Sequence, residues 1–315
     1  MATVKDVARL AGVSPITASR ALNNPALVHP DTISKVKAAA KQLGYQPSRV
    51  AQGLRTGQTW IVMLSVKQKD TYDPLLFEFA TGVSEACREN GYSLLIYPTD
   101  GIAELESFIG KVDGVILTDI KDHDARAERL SAELTIGAFG QTQYDVPQID
   151  VDNMLGGQLG TRHLLMLGYR DIAFITSSSD LLFLQHREQG YVHCMKEAGL
   201  KPTIVYNSFD MHGGYAAMTS LERTPEAVFC ASDSMAVGVL RYLHERNLRI
   251  PVVGYDGGYL TEITDPPLTS VKQPFFTVGK RLAEAMFECM SSGNIVRELV
   301  EPELVVKDST WPRIE

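Results

Sequence analysis

The stretch from Thr3 to Asn24, TVKDVARLAGVSPITASRALNN, constrains this chain more than any other. Thr3 can cap a helix, and Asp6 three residues on completes an acidic form of the capping box. Val7, Ala8, Leu10 and Ala11 supply a small apolar face at helical spacing. Gly12 falls where a left-handed residue stops a helix. Ser14 can cap a second helix whose first residue, Pro15, sits where a missing N–H costs least. That second helix, about Pro15 to Leu22, carries Ile16, Thr17, Ser19 and Arg20, side chains that can reach base edges, thymine methyls and phosphates. Two short helices across a tight turn containing Gly describe a helix-turn-helix that offers its second helix to a major groove. The competing interpretation is a plain helical hairpin packed on a larger domain.

Charge separates the two. Through Gly57 there are eight basic residues (Lys5, Arg9, Arg20, Lys35, Lys37, Lys41, Arg49, Arg55) and two acidic ones (Asp6, Asp31), a net of +6. The whole chain carries 30 basic and 38 acidic residues, so 22 basic and 36 acidic side chains remain, a net of −14. A basic head on an acidic body is the asymmetry of a nucleic-acid-binding module attached to a sensor or enzyme.

A third helix is predicted after His29-Pro30-Asp31, with Ile33, Val36, Ala40 and Leu43 on one face and Gly44 as its stop. It would close a three-helix core, leaving the Tyr45 hydroxyl at the edge within reach of a phosphate. Pro47 to Gly57 is a linker and a marginal helix, too short to stand alone in water, with Gly53 inside it. From Trp60 the pattern changes to apolar strands alternating with helices. Strand runs are Ile61–Val66, Tyr92–Pro98, Val112–Asp119, Glu133–Gly140, Ile172–Ser178, Thr203–Asn207, Ala227–Ser232 and Val252–Asp256. Helical runs are Pro74–Asn90, Met154–Leu167, Arg187–Ala198, Met235–Arg246 and Val278–Met290. Such alternation means parallel sheets covered on both faces.

The motifs V-K-D-V-A-R-L-A-G-V-S, T-A-S-R-A-L-N, L-G-Y-Q-P (43–47), L-R-T-G (54–57), V-D-N (151–153), V-V-G-Y-D (252–256) and P-P-L-T-S-V-K-Q-P (266–274) occur in this order along nearly the whole chain. Together they resemble bacterial transcription regulators of the LacI/GalR type. The resemblance implies a small all-α helix-turn-helix head at 1–46, a hinge helix or linker at 47–58, and a bilobal body at 59–315. The body would consist of two doubly wound parallel-sheet lobes of the periplasmic-binding-protein type. Lobe 1 is expected at about 59–168 and 270–300 and lobe 2 at about 169–269, with Ser270–Pro274 crossing back to the first.

The resemblance also implies that the linker folds only on operator DNA, pairs with its twin across a dimer axis and wedges Leu54 into the minor groove, bending the duplex. The alternative is a flexible tether with an incidental leucine. Gly53, where a larger residue is usual, makes the hinge harder to order by roughly 0.5–1 kcal/mol relative to Ala. The candidate DNA contacts are Thr3, Ser14, Pro15, Ile16, Thr17, Ser19, Arg20, Asn23 and Tyr45 in the head, and Ser48, Ala51 and Leu54 in the linker.

Ligands of open α/β sheets sit outside the carboxyl ends of the strands. The resemblance assigns effector binding to Asp256, which ends V-V-G-Y-D, to Arg187 in R-E-Q-G, and to Phe209 as a stacking aromatic. Asp73-Pro74 stands where Asn-Pro and two aromatics are usual; Leu75 and Leu76 replace the aromatics, which weakens the case for a flat purine. Ser232 stands where asparagine is common, and Gln141 follows A-F-G. Each also has the plainer interpretation of a solvated turn residue. The segments VDGVILTDIKDHDAR and AFGQT resemble the α-glucoside and α-galactoside regulator branch, so a neutral disaccharide or a sugar phosphate is the leading effector class, with a purine or another small metabolite as the alternative.

No G-x-S-x-G, G-x-x-x-x-G-K-[ST], H-E-x-x-H or G-x-G-x-x-G motif follows a strand, so no enzyme is expected. Cys87, Cys194, Cys230 and Cys289 are far apart and form no C-x-x-C pair, so no metal or other cofactor is expected either. No run of about 18 apolar residues and no apolar leader occur, which argues against a membrane span and against a secreted solute-binding protein. The expectation is a cytoplasmic, nucleoid-associated repressor of carbohydrate use. It acts as a homodimer on pseudo-palindromic double-stranded operator DNA, without a leucine-heptad tetramerising tail. An effector would change the angle between lobes and so the stability of the hinge on DNA; induction and corepression both fit.

Overall fold

The computed structural model describes residues 2–45, 53, 57–67, 74–99, 101–178 and 180–313. The chain divides into two compact units, Met1–Trp60 and Ile61–Glu315. Ser48, Ala51, Leu54 and Asp73 lie outside the described residues, as does most of the expected hinge at 47–58. Within that hinge Gly53 is described, and its carbonyl accepts the Gly57 N–H at 2.8 Å.

The first unit holds helices Val4–Ala11, Pro15–Asn23 and Pro30–Gln42, with a 3₁₀ turn at Pro25–Leu27. Its core is built from Val7, Ala8, Ala18, Ala21, Val36, Ala39 and Ala40. Alanines at these positions let the three helices approach closely, so a small core suffices. The predicted caps are present. The Thr3 hydroxyl accepts the Asp6 N–H, Asp6 in turn accepts the Thr3 N–H at 2.9 Å, and Gly12 is left-handed at φ 67°. Ser14 accepts the Thr17 N–H at 3.1 Å. Leu10 and Leu43, expected on the apolar faces, are 47% and 37% exposed, since the alanine core leaves no room for them.

The second unit contains two six-stranded sheets. The strands, in chain order, are β1 Ile61–Val66, β2 Ser93–Pro98, β3 Gly114–Leu117, β4 Thr135–Phe139, β5 Gln148–Val151, β6 Ile172–Thr176, β7 Thr203–Tyr206, β8 Ala227–Cys230, β9 Val252–Asp256, β10 Thr269–Lys272, β11 Arg297–Val300 and β12 Glu303–Val305. The first sheet has the order β11-β5-β4-β3-β1-β2 and is parallel throughout. The second has the order β12-β10-β9-β8-β6-β7, with β12 antiparallel to β10. Strands such as β3, β5, β6 and β8 are buried along their whole length, as helix-covered parallel strands must be.

The lobe boundaries differ from those expected. Helix Asn153–Met166, placed by sequence in lobe 1, packs on helix Leu182–Glu197 of lobe 2. The contact is close because both helices present glycine. A Cβ on Gly157 would lie 2.2 Å from the Arg187 carbonyl oxygen, and one on Gly190 2.2 Å from that of Met154. Strand β10, expected to return to lobe 1, instead pairs with β9 in the second sheet. The return is made by helix Phe275–Ser292, which packs on Pro74–Glu89, and by β11. Among the described residues the chain therefore passes between the sheets after β5, after β10 and after β11. Strand β5, absent from the predicted strands, is short and its apolar run is broken by Asp150.

Candidate functional site

In the helical unit, Ile16 is 65% exposed and Arg20 is also exposed, one turn apart on the outer face of Pro15–Asn23. Ala18 and Ala21 anchor the opposite face in the core. Pro15 is exposed at the N-terminal end. The other predicted contacts are partly committed. The Thr3 hydroxyl donates to Asp6 Oδ2 at 2.7 Å, which helps hold the Asp6 carboxyl below its usual range. Thr17 Oγ1 lies 2.9 Å from Ser14 Oγ, and Asn23 Nδ2 donates to Ser19 Oγ at 3.3 Å. Tyr45 is half-buried and packs on the core edge. The most accessible side chains of the second helix are thus one cation, able to pair bidentately with a guanine, and one apolar group suited to a thymine methyl.

In the α/β unit a cavity of about 210 Å³ opens where the carboxyl ends of β3, β4, β5 and β9 meet the helices that follow them. Four predicted residues line it together: Gln141, Arg187, Phe209 and Asp256. Leu75 and Leu76 line it as well. Ser232 does not. It is 2% exposed, and its hydroxyl accepts the Met235 N–H at 3.2 Å, capping helix Asp233–Glu245. Its polar group is used by the fold.

Arg187 is the centre of the site. Its helix begins at Leu182, so Arg187 is held in a second turn rather than at a frayed end. Nε donates to Asn153 Oδ1 at 2.9 Å and Nη1 to the Ala231 carbonyl at 2.7 Å. Its guanidinium carbon lies 3.6 Å from the centre of the Tyr255 ring and 4.8 Å from that of Phe183, geometry that stabilises a buried cation.

Asp256 faces this cation, with Nη1 to Oδ1 at 3.6 Å. Its backbone is at φ 117°, a region nearly reserved for glycine, and such strain persists where surrounding contacts over-determine it. Gln273 supplies two of those contacts: its backbone N–H reaches the Asp256 carbonyl at 3.1 Å, and its Nε2 reaches Oδ1 at 2.8 Å. Behind them Asp233 accepts from Ser270 Oγ at 2.6 Å and from the Gly257 and Gly258 N–H groups at 2.8 and 3.1 Å. Burial pushes the Asp256 carboxyl up to about 8, with Arg187 opposing, and the Asp233 carboxyl to about 6. Asp233 has the better donors and is the more readily ionised of the two.

Three contributors were not singled out from sequence. Asp150, 4% exposed, lines the cavity from β5, and burial raises its carboxyl. Asn153 joins Asp150 to Arg187 and also receives the Tyr255 hydroxyl at 3.3 Å. Phe139 stacks on Phe79 at 4.7 Å and meets Phe275 edge-on, forming an aromatic wall opposite Phe183 and Phe209. The signal for Asp150 was available: an acid near the carboxyl end of a short strand, followed immediately by a helix. Acceptors and a donor set between aromatic walls suit a ligand with hydroxyls on its edges and apolar faces.

Comparison with known proteins covers both units. Residues 3–48 match the family described as "Bacterial regulatory proteins, lacI family", and residues 161–310 match "Periplasmic binding protein-like domain". The "Ribose operon repressor" of Escherichia coli (strain K12) is 33% identical over 96% of this chain and 97% of its own length. The solved "transcriptional regulator CelR-cellobiose complex" is 31% identical with a TM-score of 0.76, covering 98% of this chain and 100% of that one. The lac repressor dimer bound to operator and the anti-inducer ONPF is 26% identical with a TM-score of 0.81, covering 98% and 99%.

Proposed function

Since the chain belongs to the LacI family of bacterial regulatory proteins, we propose that it is a transcriptional repressor of carbohydrate-use genes. It binds operator DNA as a dimer through the Pro15–Asn23 helix and acts in the cytoplasm, where bacterial operators are. A small neutral carbohydrate in the cavity of the α/β unit controls it. The observation that carries the effector class is the Arg187–Asp256 pair, 3.6 Å apart between aromatic walls. A sugar ring can stack its apolar face on such walls while its hydroxyls donate to the acid and accept from the cation.

Charge favours a neutral sugar over a sugar phosphate. Among the described lining residues Arg187 is the single cation; Asp119 is already paired with Lys67 at 3.1 Å, and two of the five guanidinium donors are held by Asn153 and Ala231. A phosphate would carry its charge into a buried cavity whose one cation is already engaged, which desolvation penalises. Control is a two-state equilibrium. The ligand contacts both lobes, so it favours the lobe arrangement that satisfies both sets of contacts, and the linker at 47–58 carries that preference to the DNA.

The test is a thermal-shift screen of the full chain against monosaccharides, disaccharides, sugar phosphates and purines, paired with retention of selected operator DNA. A ligand present at 100 times its Kd stabilises by roughly 2.7 kcal/mol, which a melting curve resolves. A neutral sugar should raise Tm and change operator affinity. A rise with purines alone would overturn the effector class; failure of binding-site selection to enrich any duplex would overturn the repressor.

A further inference from the structure

We propose that Asp150 is a second acceptor for ligand hydroxyls and the residue that makes the cavity prefer a neutral over an anionic ligand. This rests on the carbohydrate effector proposed above. Asp150 sits near the carboxyl end of β5 in the first sheet, whereas Asp256 ends β9 in the second. The two acids therefore reach one cavity from opposite lobes.

A buried carboxylate is costly unless its oxygens are well bonded. Asp150 is only partly so. The Val151 N–H reaches Oδ1 at 2.8 Å, but the side-chain donors are long: Asn153 Nδ2 to Oδ1 at 3.4 Å and Gln141 Nε2 to Oδ2 at 3.3 Å. Well-formed charge-assisted bonds are about 2.7–2.9 Å for N–H donors and 2.5–2.7 Å for hydroxyls. Two carboxylate oxygens offer about four lone-pair positions, so Oδ2 in particular has room for a hydroxyl.

The obvious structural task for an acid at this place is already taken. Helix Asn153–Met166 is capped by Asp152, which accepts the Leu155 N–H at 2.8 Å. Gln141 and Asn153 hold Asp150 from two sides, and each also touches lobe 2: Gln141 Nε2 lies 3.4 Å from His186 Nδ1, and Asn153 Oδ1 accepts from Arg187 Nε. A hydroxyl on Asp150 therefore joins a network that spans both lobes. A phosphate in the same cavity meets a carboxyl where it would need a cationic partner.

The experiment uses the full chain and two variants, Asp150→Asn, which keeps the shape and one acceptor, and Asp150→Ser, which keeps folding testable if the amide packs badly. Unliganded melting curves check the fold. The probes are ribose, glucose and cellobiose with ribose 5-phosphate and glucose 6-phosphate, their affinities taken by calorimetry and competition. Wild type should bind at least one neutral sugar more tightly than any phosphate. In the variants the Kd for that sugar should rise roughly tenfold, the effect of leaving one buried hydroxyl without its partner, and the preference over the phosphate should narrow. An unchanged Kd overturns the assignment and leaves the carbohydrate effector standing. A loss shared equally by neutral and phosphorylated sugars marks a merely structural role and also overturns it, as does a wild-type preference for the phosphate. If none of the five probes stabilises wild type, the carbohydrate effector fails and Asp150 falls with it.

Discussion

Arg187 and Asp256 face each other across 3.6 Å although 69 positions separate them, and the Tyr255 ring centre lies 3.6 Å from the guanidinium carbon. Strand β9 delivers the acid and the ring as consecutive residues on its two faces, and helix Leu182–Glu197 delivers the cation. Gln273 holds the acid and Asn153 the cation, so both side chains are oriented before any ligand arrives. Such preorganisation reduces the ordering cost of binding.

Replacing Asp256 with Asn should remove the effector response while leaving operator affinity within about twofold. Asn has the shape of Asp and, unlike Ala, keeps an oxygen to accept from Gln273 Nε2, one of the contacts that hold the backbone at 117°. Leaving a buried ligand hydroxyl without its partner costs roughly 1–3 kcal/mol, about 5- to 150-fold in effector Kd. Calorimetry on the ligand found by the screen and gel retardation on operator DNA measure the two halves. Equal ligand affinity in the variant would show that Asp256 serves the fold alone.

The same carboxyl makes stability depend on pH. Its ordinary pKa is 3.8, and burial raises it to about 8 in the folded chain. The folded state thus holds the proton more tightly than the unfolded chain does. That contribution is complete below about pH 4 and is lost as pH rises through 8. The unliganded chain should therefore melt lower at pH 8.5 than at pH 5, by roughly 2–4 °C for each kcal/mol lost in a unit of this size. Asp256→Asn should reduce the dependence to the shares of Asp233 and Asp150, whose carboxyls burial also raises. Identical pH profiles for wild type and Asp256→Asn would mean that Asp256 is ionised throughout.

Gly190→Ala should disturb the site from behind. The added Cβ would lie 2.2 Å from the Met154 carbonyl oxygen and 2.9 Å from the Gln158 nitrogen, so the two helices must part. Overpacking of this kind costs about 1–3 kcal/mol. Arg187 is on the same helix three residues earlier, so effector affinity should fall together with Tm. Loss of Tm with unaltered affinity would show that the cation is positioned by its hydrogen bonds to Asn153 and Ala231 rather than by the helix pair.

Sequence preference on DNA should reside in Arg20 and Ile16, the exposed side chains one turn apart. Arg20→Ala should cost roughly 1–3 kcal/mol and relax one base pair in each half-site. Ile16→Gln should redirect preference at a neighbouring pair, because an amide reads adenine where an apolar group favours a thymine methyl. Lys37→Ala, on helix Pro30–Gln42, should lower affinity on all sequences alike, if at all. Selection from randomised half-sites checks this; an unaltered consensus for the Arg20 variant would place a different helix in the groove.

The head was legible at the level of single caps. Thr3, Asp6, Gly12, Ser14 and Pro15 act on backbone groups within three or four positions, so the amino-acid order alone dictates them. The alternation of strands and helices was legible for the same reason, since burial on both faces leaves an apolar run in the chain. Arg187, Asp256 and Phe209, located through motif resemblance, and Gln141, located by its place after A-F-G, meet in one cavity. What the order could not convey was partnership. Nothing local to Asn153–Met166 states which sheet it covers; that depends on the match of Gly157 and Gly190 across 33 positions. Ser232 stands where the resembled family commonly has asparagine, but a hydroxyl after a strand can equally cap the next helix, and the Met235 N–H shows that it does. Asp150 was passed over because an acid inside a four-residue strand reads as an interruption. Its burial beside Arg187 arises only when two sheets, built from segments far apart in the chain, close around the same space, and hydrogen bonding and desolvation are properties of that space rather than of neighbours in sequence.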